Sequence, residues 1–192
     1  MYMKTILHPI SHEIVIKNSR FIGILLPIDS SDIHSYLRNI QEEYPKATHY
    51  CYATIYDQEK HSSDDGEPGG TAGMPILNVL EKEDLNHILA VVVRYFGGIK
   101  LGAGGLVRAY TKTITETLKN AELIELVPGY KVQIVFPYEE EKNVLYLLKN
   151  STILSKEYLE NITYTCFVDS EIYSKLSSYS VSILEECSIQ KL

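Results

Sequence analysis

The segment with the most chemical character runs from Val91 to Arg108, VVVRYFGGIKLGAGGLVR. An apolar stretch of strand type enters a loop carrying Gly97, Gly98, Gly102, Gly104 and Gly105, and the apolar residues that follow recur at helical spacing. A strand, a glycine loop and a helix start leave backbone N–H groups at the positive end of a helix dipole, where an anion can sit. Two familiar phosphate loops are excluded: Lys100 precedes Leu101, where a Walker loop has Ser or Thr, and the glycine spacing is not that of a dinucleotide fingerprint. The same glycines also serve close packing of strand on helix. Charge favours the anion reading, since Val91 to Thr115 holds Arg94, Lys100, Arg108 and Lys112 and no acidic residue, in a chain of net charge −7. On a helical wheel Arg108, Lys112 and Lys119 fall together at about 200–240° from Leu106, away from the apolar stripe. The anion- or nucleic-acid-binding set is therefore Arg94, Gly97, Gly98, Lys100, Gly102, Gly104, Gly105, Arg108 and Lys112. Lys17 and Arg20 are candidates to extend it, and Tyr95-Phe96 have the chemistry to stack a base.

A second constellation is His61-Ser-Ser-Asp64-Asp65-Gly66-Glu67-Pro68. Asp64, Asp65 and Glu67, with His49 upstream, are a possible secondary site in which carboxylates hold a divalent metal or act as a base. The spacing is not that of a calcium loop, and acidic turn residues with a helix cap explain it equally well. His49 and Cys51, two apart on a strand, share a face; with no third orienting group evident, they read as core packing. No catalytic residue and no cofactor is assigned.

The elements positioning these residues follow from pattern. Glu13–Lys17 and Arg20–Ile28 read as strands, about 32–43 as a helix ended by Pro45, and Thr48–Tyr56 as an alternating strand. Asp57–Gly73 reads as a long polar loop and Met74–Glu81 as a short helix. Ile88–Tyr95, almost continuously apolar, reads as the centre of the sheet. A helix follows from Leu106. All six His and all four Arg precede position 110, and no Gly follows Gly129. That shift places a domain boundary at Val127, giving domains 1–127 and 128–192. The second reads strand, helix, strand, strand, helix, strand, the split βαβ order of ferredoxin-like units. The fold class is thus α+β in two domains.

Composition bounds the rest. A chain of 192 residues, 45% hydrophobic and 22% charged, belongs to the globular class rather than the disordered or fibrous ones. No apolar run approaches the ~20 residues of a membrane span. The first residues lack signal-peptide character, so a cytoplasmic location is expected. Three widely spaced cysteines form neither a disulfide framework nor a CxxC pair.

Four blocks in order, Lys17-Asn-Ser-Arg-Phe-Ile-Gly23, Ala47-Thr-His-Tyr-Cys-Tyr-Ala53, Ser63-Asp-Asp-Gly-Glu-Pro-Gly-Gly-Thr-Ala-Gly73 and Arg94-Tyr-Phe-Gly-Gly-Ile-Lys-Leu-Gly102, closely resemble the YigZ/IMPACT family. The resemblance implies an IMPACT-like first domain of the ribosomal protein S5 domain 2-like type. It implies a ferredoxin-like second domain similar to domain V of elongation factor G. It also implies an association with translation; the kinase-restraining role of eukaryotic members goes with an interaction domain that these residues do not include. The S5-like fold occurs too in small-molecule kinases, but Gly102-Ala-Gly-Gly105 lacks their loop serines. The leading expectation is a non-enzymatic RNA- or ribosome-binding regulator, with RNA, the ribosome or a protein of the translation machinery as partner. The alternative is a phosphate- or nucleotide-binding protein or enzyme using the same loop, with a metal or base at Asp64, Asp65 and Glu67.

Overall fold

A computed structural model describes residues 3–190. The chain forms two compact units, the first ending at Ile124 and the second beginning at Glu125.

The first unit contains the short strand β1 (Lys4–Ile6), then β2 (Ile10–Ile16), β3 (Ser19–Pro27), α1 (His34–Glu43), β4 (His49–Tyr56), β5 (Glu59–Ser63), α2 (Gly73–Lys82), β6 (Ile88–Tyr95) and α3 (Ala103–Leu118). Five strands form an antiparallel sheet in the order β2-β3-β6-β4-β5. β6 lies at its centre, as its apolar run predicts, and seven of its eight residues are buried. Period two divides that strand between two cores. Ile88, Ala90 and Val92 join Phe21, Ile76, Leu80, Leu106 and Tyr110 in the core roofed by α2 and α3, while Leu89, Val91 and Val93 join Ile33 and Ile40 beside α1.

Two turns have positions that the site depends on. Lys17 and Asn18 both have positive φ (45° and 63°) and join Ile16 to Ser19, the two-residue turn whose twist suits a hairpin. Asp57, also at positive φ, opens a second tight turn, so residues 59–63 pair with β4 as the edge strand β5. The expected polar loop over 57–73 therefore begins with a strand, and only 64–72 remains loop. Its sequence, EKHSS, has no apolar alternation because four of its five residues are exposed and the fifth is only half-buried.

The second unit is built on β7 (Leu123–Phe136), a single turn of 3-10 helix at Tyr138–Glu140 running into α4 (Glu141–Leu147), β8 (Thr152–Tyr158), β9 (Ile162–Asp169), α5 (Ser170–Lys175) and β10 (Ser180–Gln190). The strands lie in the order β10-β7-β9-β8, all antiparallel. β9 alternates buried and half-buried along its length. Its inward residues Ile162, Tyr164, Cys166 and Val168 form one core with Val132, Ile134 and Phe136 of β7, Val144 of α4, Leu148 just after it, and Leu176 after α5. Pro128-Gly129, where the composition changes, does not interrupt the backbone: Pro128 pairs with Ser188 and Gly129 with Cys187, inside β7. Among the described residues no helix is long and apolar enough to cross a membrane.

Candidate functional site

The glycine-rich connection between β6 and α3 is shorter than its glycines imply. Gly102, at φ 72°, caps α3 without a side-chain hydrogen bond, so Gly104 and Gly105 lie in the first helical turn rather than in the loop. That geometry is open to Gly and strained for other residues. α3 then carries Arg108 and Lys112 one turn apart, both exposed. With Lys17 from the β2–β3 turn, Ile16, Leu101, Gly105 and Ala109, they line a surface pocket of about 290 Å³. Three cations thus surround an apolar floor. Neither Lys17, Arg108 nor the exposed Lys100 forms a salt bridge among the described residues, and Lys112 only helps lower the Glu116 carboxyl, whose main partner is Lys119.

The other expected cations are committed elsewhere. Arg20 grips Glu13 through two bonds of 2.9 Å and lies over the Tyr95 ring, so it does not extend the pocket. Lys119 is held by Glu116. Arg94, expected on the anion-binding surface, is buried, its side chain 5% exposed, and paired with Glu67, 4% exposed. The reason is the pleat: Arg94 follows Ile88, Ala90 and Val92 onto the face beneath α2 and α3. Its guanidinium lies over the rings of Phe21 and Phe96, at 5.2 and 5.4 Å, and its Nε has no hydrogen-bond partner among the described residues.

The second constellation is brought together as a network, not as a metal site. Glu67 Oε1 accepts from Arg94 and from Tyr110 Oη at 2.7 Å. His49 binds the Asp65 carbonyl through Nδ1 at 2.7 Å, and its Nε2 faces Glu67 Oε2 at 3.9 Å. Both ring nitrogens therefore face protein groups. Asp64 turns inward: Oδ2 accepts from Gly70 N and Oδ1 from Ala72 N and Gly73 N, at 2.8 to 2.9 Å, which closes residues 64–73 into a fixed loop at the start of α2. Asp65 accepts from Tyr50 N at 2.6 Å. The three carboxylates point at three different partners, and among the described residues no three His, Cys, Asp or Glu gather as metal ligands would. Cys51 Sγ lies 3.0 Å from the Asp64 carbonyl and 3.3 Å from Tyr110 Oη, with burial pushing the thiol up to about 12. A thiol so protonated is no nucleophile near neutral pH, in keeping with its reading as core. Burial likewise raises the Tyr110 hydroxyl, which stays a donor to Glu67.

Asp64 gives this loop a pH dependence. Burial pushes its carboxyl upward, but the amides of Gly70, Gly73 and Ala72 together outweigh that and hold it below the usual value of 3.8. A pKa lowered by folding contributes stability that is present above the unfolded value and lost as pH falls through the folded one. Asp64→Asn is therefore expected to melt below the wild type at neutral pH, with the gap narrowing under acid, below about pH 4. Thermal melts of both proteins across that range test this; a pH-independent gap would refute it.

Residues 17–118 match the Impact N-terminal domain. Over 178 residues the chain is 37% identical to the IMPACT family member YvyE of Bacillus subtilis, covering 90% of this chain and 82% of that protein. It is 32% identical over 188 residues to the IMPACT family member YigZ of Escherichia coli, covering 92% of each. A solved structure described only as a hypothetical protein superposes with a TM-score of 0.71 at 29% identity, over 96% of this chain and 98% of that one.

Proposed function

The chain belongs to the IMPACT family, and on that premise we propose that it is a non-enzymatic, translation-associated protein that grips the phosphate backbone of RNA, ribosomal RNA included, through Lys17, Arg108 and Lys112. The observation that carries this reading is the pocket itself: cations that form no salt bridge among the described residues converge from a hairpin turn and a helix face on one concavity of a chain with net charge −7. Phosphate neutralisation by Lys and Arg releases counterions and supplies affinity without requiring base contacts. A net charge of −7 keeps such binding local rather than general. The same reading takes the first unit as S5 domain 2-like and the second as ferredoxin-like. The second unit's strand order, fourth-first-third-second along its own chain, supports the latter.

Co-sedimentation with ribosomes of the source organism is expected at low salt and lost at high salt. Lys17→Ala, Arg108→Ala and Lys112→Ala should each weaken the association severalfold and flatten its salt dependence by about one unit of slope. No pelleting at low salt would overturn the reading. The apolar floor of Ile16, Leu101 and Ala109 favours one competitor, a small phosphorylated ligand. Thermal melts with a nucleotide panel expose that case, since a ligand at 100 times its Kd stabilises by about 2.7 kcal/mol.

A further inference from the structure

The phosphate reading uses cations and leaves Phe96 without a role. Phe96 follows β6 directly and is 45% exposed. It is not loosely held. Its amide donates to Thr48 Oγ1 at 3.0 Å, and the next amide, of Gly97, donates to Ser19 Oγ at 3.1 Å. The ring rests on the guanidinium of Arg94, which Glu67 in turn fixes from inside the fold. An aromatic plane is thus supported from below by a buried ion pair while nearly half its surface meets solvent. The link to the cation pocket runs through the backbone: Gly97, next in the chain, abuts Asn18 of the β2–β3 turn, and Lys17 of that turn lines the pocket with Arg108 and Lys112. Ile99, 46% exposed, adds apolar surface on the same loop.

A fixed aromatic platform beside a cationic groove is the chemistry that recognises unpaired nucleotides: bases stack on the ring and phosphates follow the charge. Duplex RNA offers the phosphates but keeps its bases stacked on one another. We propose that Phe96 stacks an unpaired base and that the chain selects single-stranded over duplex RNA, an inference that rests on the phosphate reading above.

The test is equilibrium binding, by fluorescence anisotropy, of a labelled uridine homopolymer and of a duplex RNA of equal length across a salt series. The wild type is expected to bind the single strand more tightly. Phe96→Leu, which keeps an apolar cover over Arg94, should lose about 5- to 100-fold for the single strand and little for the duplex. Because stacking releases no counterions, its salt slope should stay that of the wild type, whereas Lys112→Ala lowers the slope. Phe96→Trp should restore binding. Equal affinity for both RNAs with Phe96→Leu unchanged would overturn the stacking assignment and leave the phosphate reading standing. No binding to either RNA at low salt would overturn both.

Discussion

Glu67→Gln should lower stability by about 3–5 kcal/mol, the usual effect of removing one partner from a buried ion pair. The amide can still accept from Tyr110, so the loss isolates charge rather than shape. What remains is a guanidinium 5% exposed, with Nε already lacking a partner and two aromatic rings beside it. At that depth little solvent is on hand to replace the carboxylate, and a buried charge without a partner is costly. The exposed pair Lys60–Glu81 makes the contrast, with both side chains more than 40% accessible; Glu81→Gln is expected to cost well under 1 kcal/mol. Urea denaturation of the two variants measures both. A Glu67→Gln effect as small as that of Glu81→Gln would show that the pair is not dry. Replacing both partners together, Glu67→Leu with Arg94→Met, should recover much of the loss, because neither charge is then stranded.

That ion pair also marks where the sequence stops being legible. The central position of β6 follows from its composition, and so does the burial of Arg94, since period two carries the face of Ile88, Ala90 and Val92 on to position 94. Read by charge alone, Arg94 falls into the basic surface set; read by register, it falls into the core. The identity of its partner is another matter. Glu67 lies 27 residues earlier in a polar loop, and nothing local distinguishes it from Asp64 or Asp65. The three carboxylates look alike in sequence, yet one closes its own loop, one holds the amide of Tyr50 and one neutralises the core arginine. These roles are long-range outcomes of how β4, β6 and the 64–73 loop meet. The edge strand β5 was hidden for the opposite reason, because an exposed strand does not need the apolar alternation by which strands are found. The cation pocket was half legible. Arg108 and Lys112 follow from helical periodicity, whereas Lys17 reaches them only through the tertiary position of a hairpin turn, and the equally plausible Arg20 is drawn off by Glu13 across that same hairpin.

The same turn makes Gly97→Ala the sharpest test of how fold and function are joined. A Cβ at residue 97 would sit 2.1 Å from the carbonyl carbon and oxygen of Asn18 and 2.5 Å from Ser19 N, all backbone atoms that cannot rotate aside. Either the β6–α3 loop or the β2–β3 turn must move, at an expected cost at or above the upper end of about 1–3 kcal/mol for overpacking. Displacement of the turn would carry Lys17 away from Arg108 and Lys112, so RNA affinity is expected to fall even under conditions where the variant stays folded. Gly98→Ala is the control. Gly98 has φ 85°, which strains any other residue, but a Cβ there meets nothing within 4 Å. Its cost should be about 1 kcal/mol of backbone strain, with the pocket left intact. Denaturation midpoints and RNA binding measured on both variants separate conformational strain from collision. Loss of binding in Gly97→Ala alone would tie the pocket to the contact between loop and turn. Equal behaviour of the two alanines would mean that the turn yields without disturbing Lys17, and that the cations do not depend on that packing.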